Sequence, residues 1–540
     1  MAHQLFSLPK QTAISSNLTL LPGAKVEFFL TTTTTPTPVY TTSALSTQHT
    51  NPVVADSAGR LPAIYLDPSI VYRITFKDSA GAEIYPAVDP VNDQLLSQAI
   101  IGGYLYPRTQ PEIDALVTPV NYAYPPGNIL RYGTNTTPGT TDMTSAIQNA
   151  LNANSGAAVF FPAGTYKILG QITVPVDTDI IVQNGGVVTL AAGSADLSAA
   201  TALILCEGSI GSALGGGLAS TVSAGAVSLT LNSAPSLSPG DLCILRNTAN
   251  ASWNGDSAGN RQGEFLVVKS ASGAVVVFTS AVIDSYASTV TCGLYKVTPT
   301  TTRIKGKLTI IGNTADTSNV PTVYFHYGRD NVVDGLVFRT TTSTCIEFNV
   351  CYKPKVTDVD TGKYLTDAGS IQSTGVVLAS CQYGSVMDSI LAGDRHGAST
   401  GGGGTVVDRF NVFSHCAISS RTSAAADFHG NAEFCEYRNC HIDGGINLSG
   451  ARNKIVECKV YPHASVTSLI NMEANKSIDH EIVRSRFHMI GGVVRYLIDA
   501  NASTDINANT GAGELLIDDI DLFDDTALDQ TYIFLRNNGS

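Results

Sequence analysis

Residues 376–462 read VVLASCQYGSVMDSILAGDRHGASTGGGGTVVDRFNVFSHCAISSRTSAAADFHGNAEFCEYRNCHIDGGINLSGARNKIVECKVYP. A short phrase recurs in this stretch: an apolar residue, a polar pair, a small residue, any residue, then another apolar one. It appears as MDSIL, SHCAI, RNCHI and VECKV, and again downstream as VRSRF. Aligned on the small position, Ser389, Cys416, Cys440, Cys458 and Ser485 fall in register with steps of 27, 24, 18 and 27 residues. A repeat of this size is the signature of a solenoid. Cys416 and Ile418, Cys440 and Ile442, Cys458 and Val460, and Ser485 and Phe487 lie two apart, while Ala417, His441, Lys459 and Arg486 between them are mostly polar. Period two means strands with one face in and one out. Helical repeats would need apolar positions three and four apart over ten or more residues, and the Gly and Asn punctuation leaves no room for that. The pattern predicts a parallel β-helix with coils stacked about 4.8 Å apart, the uneven steps being loops that leave the turns. Cys416, Cys440 and Cys458 then read as small apolar fillers of an interior ladder.

The whole chain bounds this reading. Its 540 residues are enough for several domains and a long solenoid core. Only 14% are charged and the net charge is −13, so nucleic acid and anionic membranes are not expected partners, whereas a polysaccharide fits. No stretch of 18 apolar residues exists, so membrane insertion is not expected. The first residues, MAHQLFSLPKQTAISSN, lack the charged head, apolar run and cleavage site of a signal peptide. The ten cysteines include no CxxC pair, so neither metal nor cofactor is expected.

In chain order, residues 1–95 form a first β-rich unit, in which KVEFFL, PVYTTSAL, PAIYLD and YRITFKD read as strands between turn-rich segments. Asn51, Pro52, Asp56, Gly59, Arg60, Tyr65, Asp67, Tyr72, Arg73, Asp78 and Gly81 stand in a pattern that resembles the virion-anchoring domain of bacteriophage tailspikes. Residues 96–133, with the short helical candidate PEIDALV, resemble the neck that joins such anchors to their β-helices. Residues 134–204 start the solenoid. There Thr141 or Asp142 can cap a helix presenting Ala146, Ile147, Ala150 and Leu151, which covers the exposed end of the core. That helix and the following FPAGTY resemble the entrance of pectate-lyase-like β-helices. Residues 205–300 show hairpin-like strand spacing, which predicts a small inserted β-sandwich or barrel, and residues 301–540 resume the coils. The fold class is therefore all-β: a single-stranded parallel β-helix, right-handed by the resemblance, with an amino-terminal anchor, an inserted β domain and a capping helix.

Two clusters carry candidate chemistry, GDRHGAST at 393–400 and ADFHGNAEFCEYRNCHIDG at 426–444. Arg395, His396 and Thr400, followed one coil later by Asp427 and His429, resemble the paired phrases of phage β-helix depolymerases, with Phe428 where that family often has Thr. The resemblance implies a homotrimeric tailspike that cleaves a bacterial capsule or lipopolysaccharide chain. Glycoside hydrolysis needs two carboxyl groups about 5–5.5 Å or roughly 6.5–9.5 Å apart, spacings that adjacent and alternate coils supply, with the acid raised by its neighbour. Asp394 and Asp427 are the first pair and Glu436 the alternative partner, with His396 and His429 orienting hydroxyls or sharing proton transfer. Arg395, Arg421, Glu433 and Asp443 are candidate substrate-binding residues. A lyase would use Arg395 or Arg421 as the cation and His396 or His429 as the base. Arg421 lies five residues after Cys416, just as Asp394 lies five after Ser389, which predicts an ion pair across coils. GGGG at 401–404 lacks the context of a phosphate loop. Gly255-Asp256-Ser257 lacks the partners of an esterase block, and DTSN and DDIDLFDD do not form calcium loops. A non-catalytic receptor-binding spike is the first rival, and a secreted pectin-type lyase is disfavoured by the missing signal peptide.

Overall fold

The computed structural model describes residues 5–7, 12–14, 19–67, 69–91, 106–183, 188–192, 195, 197–249, 262–313, 320–341, 343–362, 373–401, 404–462, 468–473, 479–489, 496–501, 515–524 and 533–537. Gly255-Asp256-Ser257 and DTSN lie outside them. The chain divides into two compact units, residues 1–107 and 108–540.

The first unit is a four-stranded antiparallel sheet in the order Val53–Val54, Lys25–Leu30, Tyr72–Lys77 and Glu83–Val91. Alternation in KVEFFL sends Val26 and Phe28 into a core shared with Ile64, Leu66, Tyr72 and Ile74. The motif residues are turn machinery. Asp56 accepts the backbone N–H groups of Ala58 and Arg60 at 2.9 and 2.8 Å, Asp78 accepts that of Ala82 at 2.9 Å, and Asn51 is bonded through both side-chain atoms to the backbone of Phe28.

The second unit opens with a buried knot. The helix Gln110–Asp114 carries a capping box from Thr109 and Glu112, with Pro111 in its first turn. Glu112 accepts from Arg131 Nε at 2.5 Å, Arg131 Nη2 at 3.0 Å and the Tyr132 hydroxyl at 2.9 Å, with the Glu112 and Arg131 side chains fully buried. The capping helix Thr144–Ala153 follows, and its Ala146, Ile147, Ala150 and Leu151 are all buried over the first coil. Asp142 holds its first turn, accepting the Thr144 N–H at 3.0 Å.

Three sheets of parallel strands form the solenoid. The groove sheet has eleven strands, from Ile172–Val174 and Ile204–Glu207 through Val323–Arg329, Ile346–Tyr352, Thr374–Ala379, His396–Thr400, Ala426–Phe428 and Ile446–Leu448 to Ile533–Asn537. A second sheet includes Ser385–Met387, Val412–Ser414, Glu436–Arg438 and Lys454–Val456, and a third runs from Ile390–Gly393 to Asp521–Asp524. The core is one continuous apolar column in which rings stack in register, as Phe325 on Phe348 at 4.6 Å.

The recurring phrase straddles a corner between the second and third sheets, which corrects the expectation of one alternating strand. Asp388, His415, Asn439, Glu457 and Arg484 take φ of 51, 54, 51, 56 and 48°. Left-handed backbone costs a non-glycine residue about 1–2 kcal/mol. A bond to the next coil offsets much of that: each of the five donates its N–H to a carbonyl one coil on, His415 to Arg438 at 3.1 Å and Asn439 to Val456 at 3.0 Å among them. The small residue that follows is buried at every coil. Cys416 donates to the carbonyls of Ser414 and Val386 at 3.2 and 3.6 Å, and Cys440 to those of Arg438 and Phe413 at 3.3 and 3.4 Å. A thiol or hydroxyl therefore suits this place, because its one hydrogen finds buried carbonyls to donate to.

An antiparallel six-stranded sheet interrupts the coils, its outer strands being Ser209–Ala213 and Ser228–Thr230 and its returning strand Cys292–Thr298. Ile204–Glu207, which overlaps the start of the span 205–300 read as an insert, belongs to the solenoid, pairing with Ile172–Val174 and with the strand that starts at Val323. The insert docks on the coils through Leu242, Ile244, Phe265 and Val297 against Val350 and Val406. Buried Arg409 ties the two, reaching Asp284 of the insert at 2.9 Å and Glu433 of the next coil at 2.8 Å.

Candidate active site

Three consecutive strands of the groove sheet assemble the site. Pairing sets Ser399, Asp427 and Asn447 opposite one another on an outward row, while Ala398, Ala426 and Ile446 point into the core. Phe428 also points inward and stacks on Tyr437 at 4.4 Å, so an aromatic residue is accommodated there as core.

Asp427 is nearly enclosed, with 3% of its side chain exposed. Its Oδ2 lies 2.8 Å from His429 Nε2, accepts the Ser399 hydroxyl at 3.1 Å and stands 3.5 Å from His396 Nε2. Its Oδ1 accepts the Asn447 amide at 3.0 Å, and Asn447 Oδ1 accepts that of Asn471 at 3.3 Å. Burial alone would raise this carboxyl. The two imidazoles and the Asn447 amide outweigh it and hold Asp427 well below the ordinary carboxylate range. Burial pushes His396 below its ordinary value despite Asp427 beside it. Its Nδ1, 2.6 Å from the Ala424 carbonyl, is assigned as the N–H that donates there, which leaves Nε2 as an acceptor. His429 is the accessible member, 30% exposed. It has room because residue 401 is glycine: a β-carbon there would collide with that of His429, and φ is +106°.

The other expected residues divide. Asp394 takes the predicted ion pair, Arg421 Nε lying 2.6 Å from its Oδ1. No rung joins it to Asp427, since the residue opposite Asp427 in the preceding coil is Ser399. The expected mutual raising of a carboxyl pair is thus replaced by an Asp394–arginine pair and an Asp427–imidazole cluster. Arg395 adjoins His396 in the turn, its N–H bonded to the Ser373 carbonyl at 3.0 Å. Glu436 lies on the second sheet, engaged by Arg438 at 2.6 Å. Asp443 lies exposed on the third sheet, and Glu433 is held by Arg409. Sheet membership separates Glu436 and Asp443 from Asp427, and Glu433 lies in a two-stranded pairing with Asp408–Arg409.

Sequence reasoning passed over a further group on the groove sheet: Glu207, Tyr324, His326, Glu347 and Asn349. The alternation VYFHY and IEFNV, with Phe325 and Phe348 inward, is the signal that exposes their outward register. Among the described residues no set of His, Cys, Asp and Glu side chains is arranged to hold a metal ion, and no helix is long and apolar enough to cross a membrane.

Three segments match family models: residues 127–202 the rhamnogalacturonase A/epimerase, pectate lyase-like family, 212–297 the tailspike protein-like Ig-like domain, and 339–482 the Gp49, pectin lyase-like family. No curated protein matches the chain. Among solved structures, the Gp54 tailspike of Acinetobacter baumannii bacteriophage AP22, in complex with A. baumannii capsular saccharide, is 17% identical with a TM-score of 0.60, covering 80% of this chain and 77% of its own. The tailspike gp61 of Pseudomonas phage phi297 is 19% identical with a TM-score of 0.56, covering 70% and 73%. The tailspike gp49 of Pseudomonas phage LKA1 is 23% identical with a TM-score of 0.54, covering 71% and 70%. At these identities the likeness is one of fold.

Proposed function

We propose that this chain, a parallel β-helix of tailspike and pectate-lyase type, is a phage tailspike that binds a bacterial surface polysaccharide along its groove sheet and depolymerises it by endo-glycosidic cleavage during adsorption. In this reading the first unit attaches the spike to the virion tail, and the spike works as a homotrimer. The observation that supports it most is the Asp427 centre, an ionised carboxylate that orients an accessible imidazole on an outward polar row. With Nε2–H given to Asp427, His429 keeps Nδ1 as its basic nitrogen, and Asp427 balances the charge formed when that nitrogen takes a proton.

Our first reading of the chemistry is hydrolysis, in which His429 draws a proton from water attacking the anomeric carbon while the glycosidic C–O bond breaks and the departing oxygen takes a proton from solvent. Ser399 and Asn447 hold the Asp427 carboxylate in place. One observation favours a second reading, elimination from a uronate: Asp427 is tied to imidazoles rather than to a second carboxyl of raised pKa, which hydrolysis ordinarily uses. There His429 would remove the α-proton, with Arg395 as the cation at hand. Incubation with polysaccharides from candidate hosts, followed by size-exclusion chromatography, tests the function through chain shortening. Ultraviolet absorbance from an unsaturated uronate end assigns the cleavage to elimination. Binding without shortening would make the protein a receptor-binding spike instead.

A further inference from the structure

The outward face of the groove sheet carries a second cluster at the foot of the insert. Glu207 ends its strand, and the chain enters the insert at once, with Gly208 N–H on the His326 carbonyl at 2.8 Å. Pairing sets Glu207 beside His326 and His326 beside Asn349, and Tyr324 beside Glu347. From Glu347 the row passes Val377 and Ser399 to Asp427. Those three rungs span roughly 14 Å at about 4.8 Å each. Two carboxyls serving one glycosidic bond stand at most about 9.5 Å apart, so Glu347 is not the partner of Asp427.

We propose that Glu207, Tyr324, His326, Tyr327, Glu347 and Asn349 form a sugar-binding subsite, which holds an uncharged or cationic pyranose residue of the polysaccharide a few residues along from the bond cleaved at Asp427. The rings supply a platform: His326 stacks on Tyr327 at 4.0 Å and 27°, and Tyr324 lies 5.7 Å from His326. The apolar face of a pyranose fits such a surface, as apolar ligand surface does in pockets generally. The polar atoms discriminate. Glu207 Oε1 is 3.2 Å from His326 Nδ1, and the Asn349 amide is 3.4 Å from Glu347 Oε1. Burial raises Glu347 and Tyr324 and lowers His326, so all three favour their neutral forms. A carboxyl, a phenol and an amide between them donate to and accept from hydroxyls. Glu207, half exposed at 51% of its side chain, sets a second carboxyl at the solvent side of the subsite. A uronate placed here meets a like charge, whereas an amino sugar meets its opposite.

The inference rests on the depolymerase reading, and the experiment separates the two. Wild type, Glu347→Ala and Glu207→Gln are compared on a polysaccharide that the wild type shortens. Each variant is expected to raise KM about tenfold, with kcat within about twofold, and to match wild type on the shortest fragments still cleaved. Chemical-shift titration with glucosamine and glucuronic acid as probes is expected to show preference for glucosamine, reduced in Glu207→Gln. Loss of kcat at constant KM would make the two carboxyls catalytic and overturn the subsite. Unchanged KM, or preference for glucuronic acid, overturns it as well. If wild type shortens nothing, the depolymerase reading fails, and titration of intact polysaccharide still decides the subsite: weaker binding by Glu347→Ala supports it and equal binding sinks it.

Discussion

Glu112 in the helix Gln110–Asp114 and Asp427 in the strand Ala426–Phe428 are both carboxylates enclosed by several donors, and both are held below their ordinary pKa although burial pushes the other way. Their difference lies in the partners. Glu112 faces a guanidinium with no exposure and a buried phenol, and every donor is consumed. Asp427 faces His429, whose imidazole reaches solvent. A closed ion pair holds a fold together, while the same carboxylate given one accessible, titratable partner can move a proton.

The sharpest way to break that contrast is Asp427→Asn, expected to cut depolymerisation by about 100- to 10,000-fold in protein that remains folded at assay temperature. Product formation and a thermal melt read the two effects. Glu112→Ala is expected to do the reverse, since leaving Arg131 buried and unpaired costs about 3–5 kcal/mol. A lowered unfolding midpoint, with specific activity retained in the folded fraction, is the result to look for. Next comes Gly401→Ala, expected to lower activity about tenfold or more by displacing His429, and read by kinetics alongside circular dichroism.

The smallest effect concerns a third carboxyl, Asp408, which burial pushes up to about 8 even though it accepts the Cys381 N–H at 2.7 Å and the Asn431 amide at 2.9 Å. A carboxyl raised on folding favours the native state fully below its unfolded value near 4, and that advantage is lost as pH rises through about 8. Asp408→Asn is therefore expected to melt a few degrees above wild type at pH 9 and to converge with it at pH 4. Melts that differ equally at both pH values would deny the shift. Asp427 has the opposite sign: its contribution is present above about pH 4 and fades as pH falls through its lower native value.

What the sequence made legible was whatever repeats at short range. The Ser/Cys corner recurs within 27 residues or fewer, so its register is visible by alignment, and the Asp394–Arg421 pair follows from equal offsets. The capping helix shows its apolar face directly. The boundary of the insert was harder, because Ile204–Glu207 is the last strand before the excursion and its pairing partner Val323–Arg329 comes only after it. For the same reason Glu207 and His326, 119 residues apart, show no adjacency in sequence. Glu436 and Asp443 were near Asp427 in sequence, yet two corners send them to other sheets. Proximity along a coil says little about which face a residue shares.

The left-handed corners raise a matter of fidelity. Each presents the same backbone donor to the coil above, so a rung could in principle seat on the wrong neighbour during assembly. Unequal spacers of 27, 24, 18 and 27 residues remove that degeneracy, because a misplaced coil would need a linker of another length. Ion pairs between particular neighbouring coils, Arg421 with Asp394 and Arg484 with Glu457, label the rungs further. Irregularity between repeats thus acts as an address, specifying one stacking order among many of similar energy.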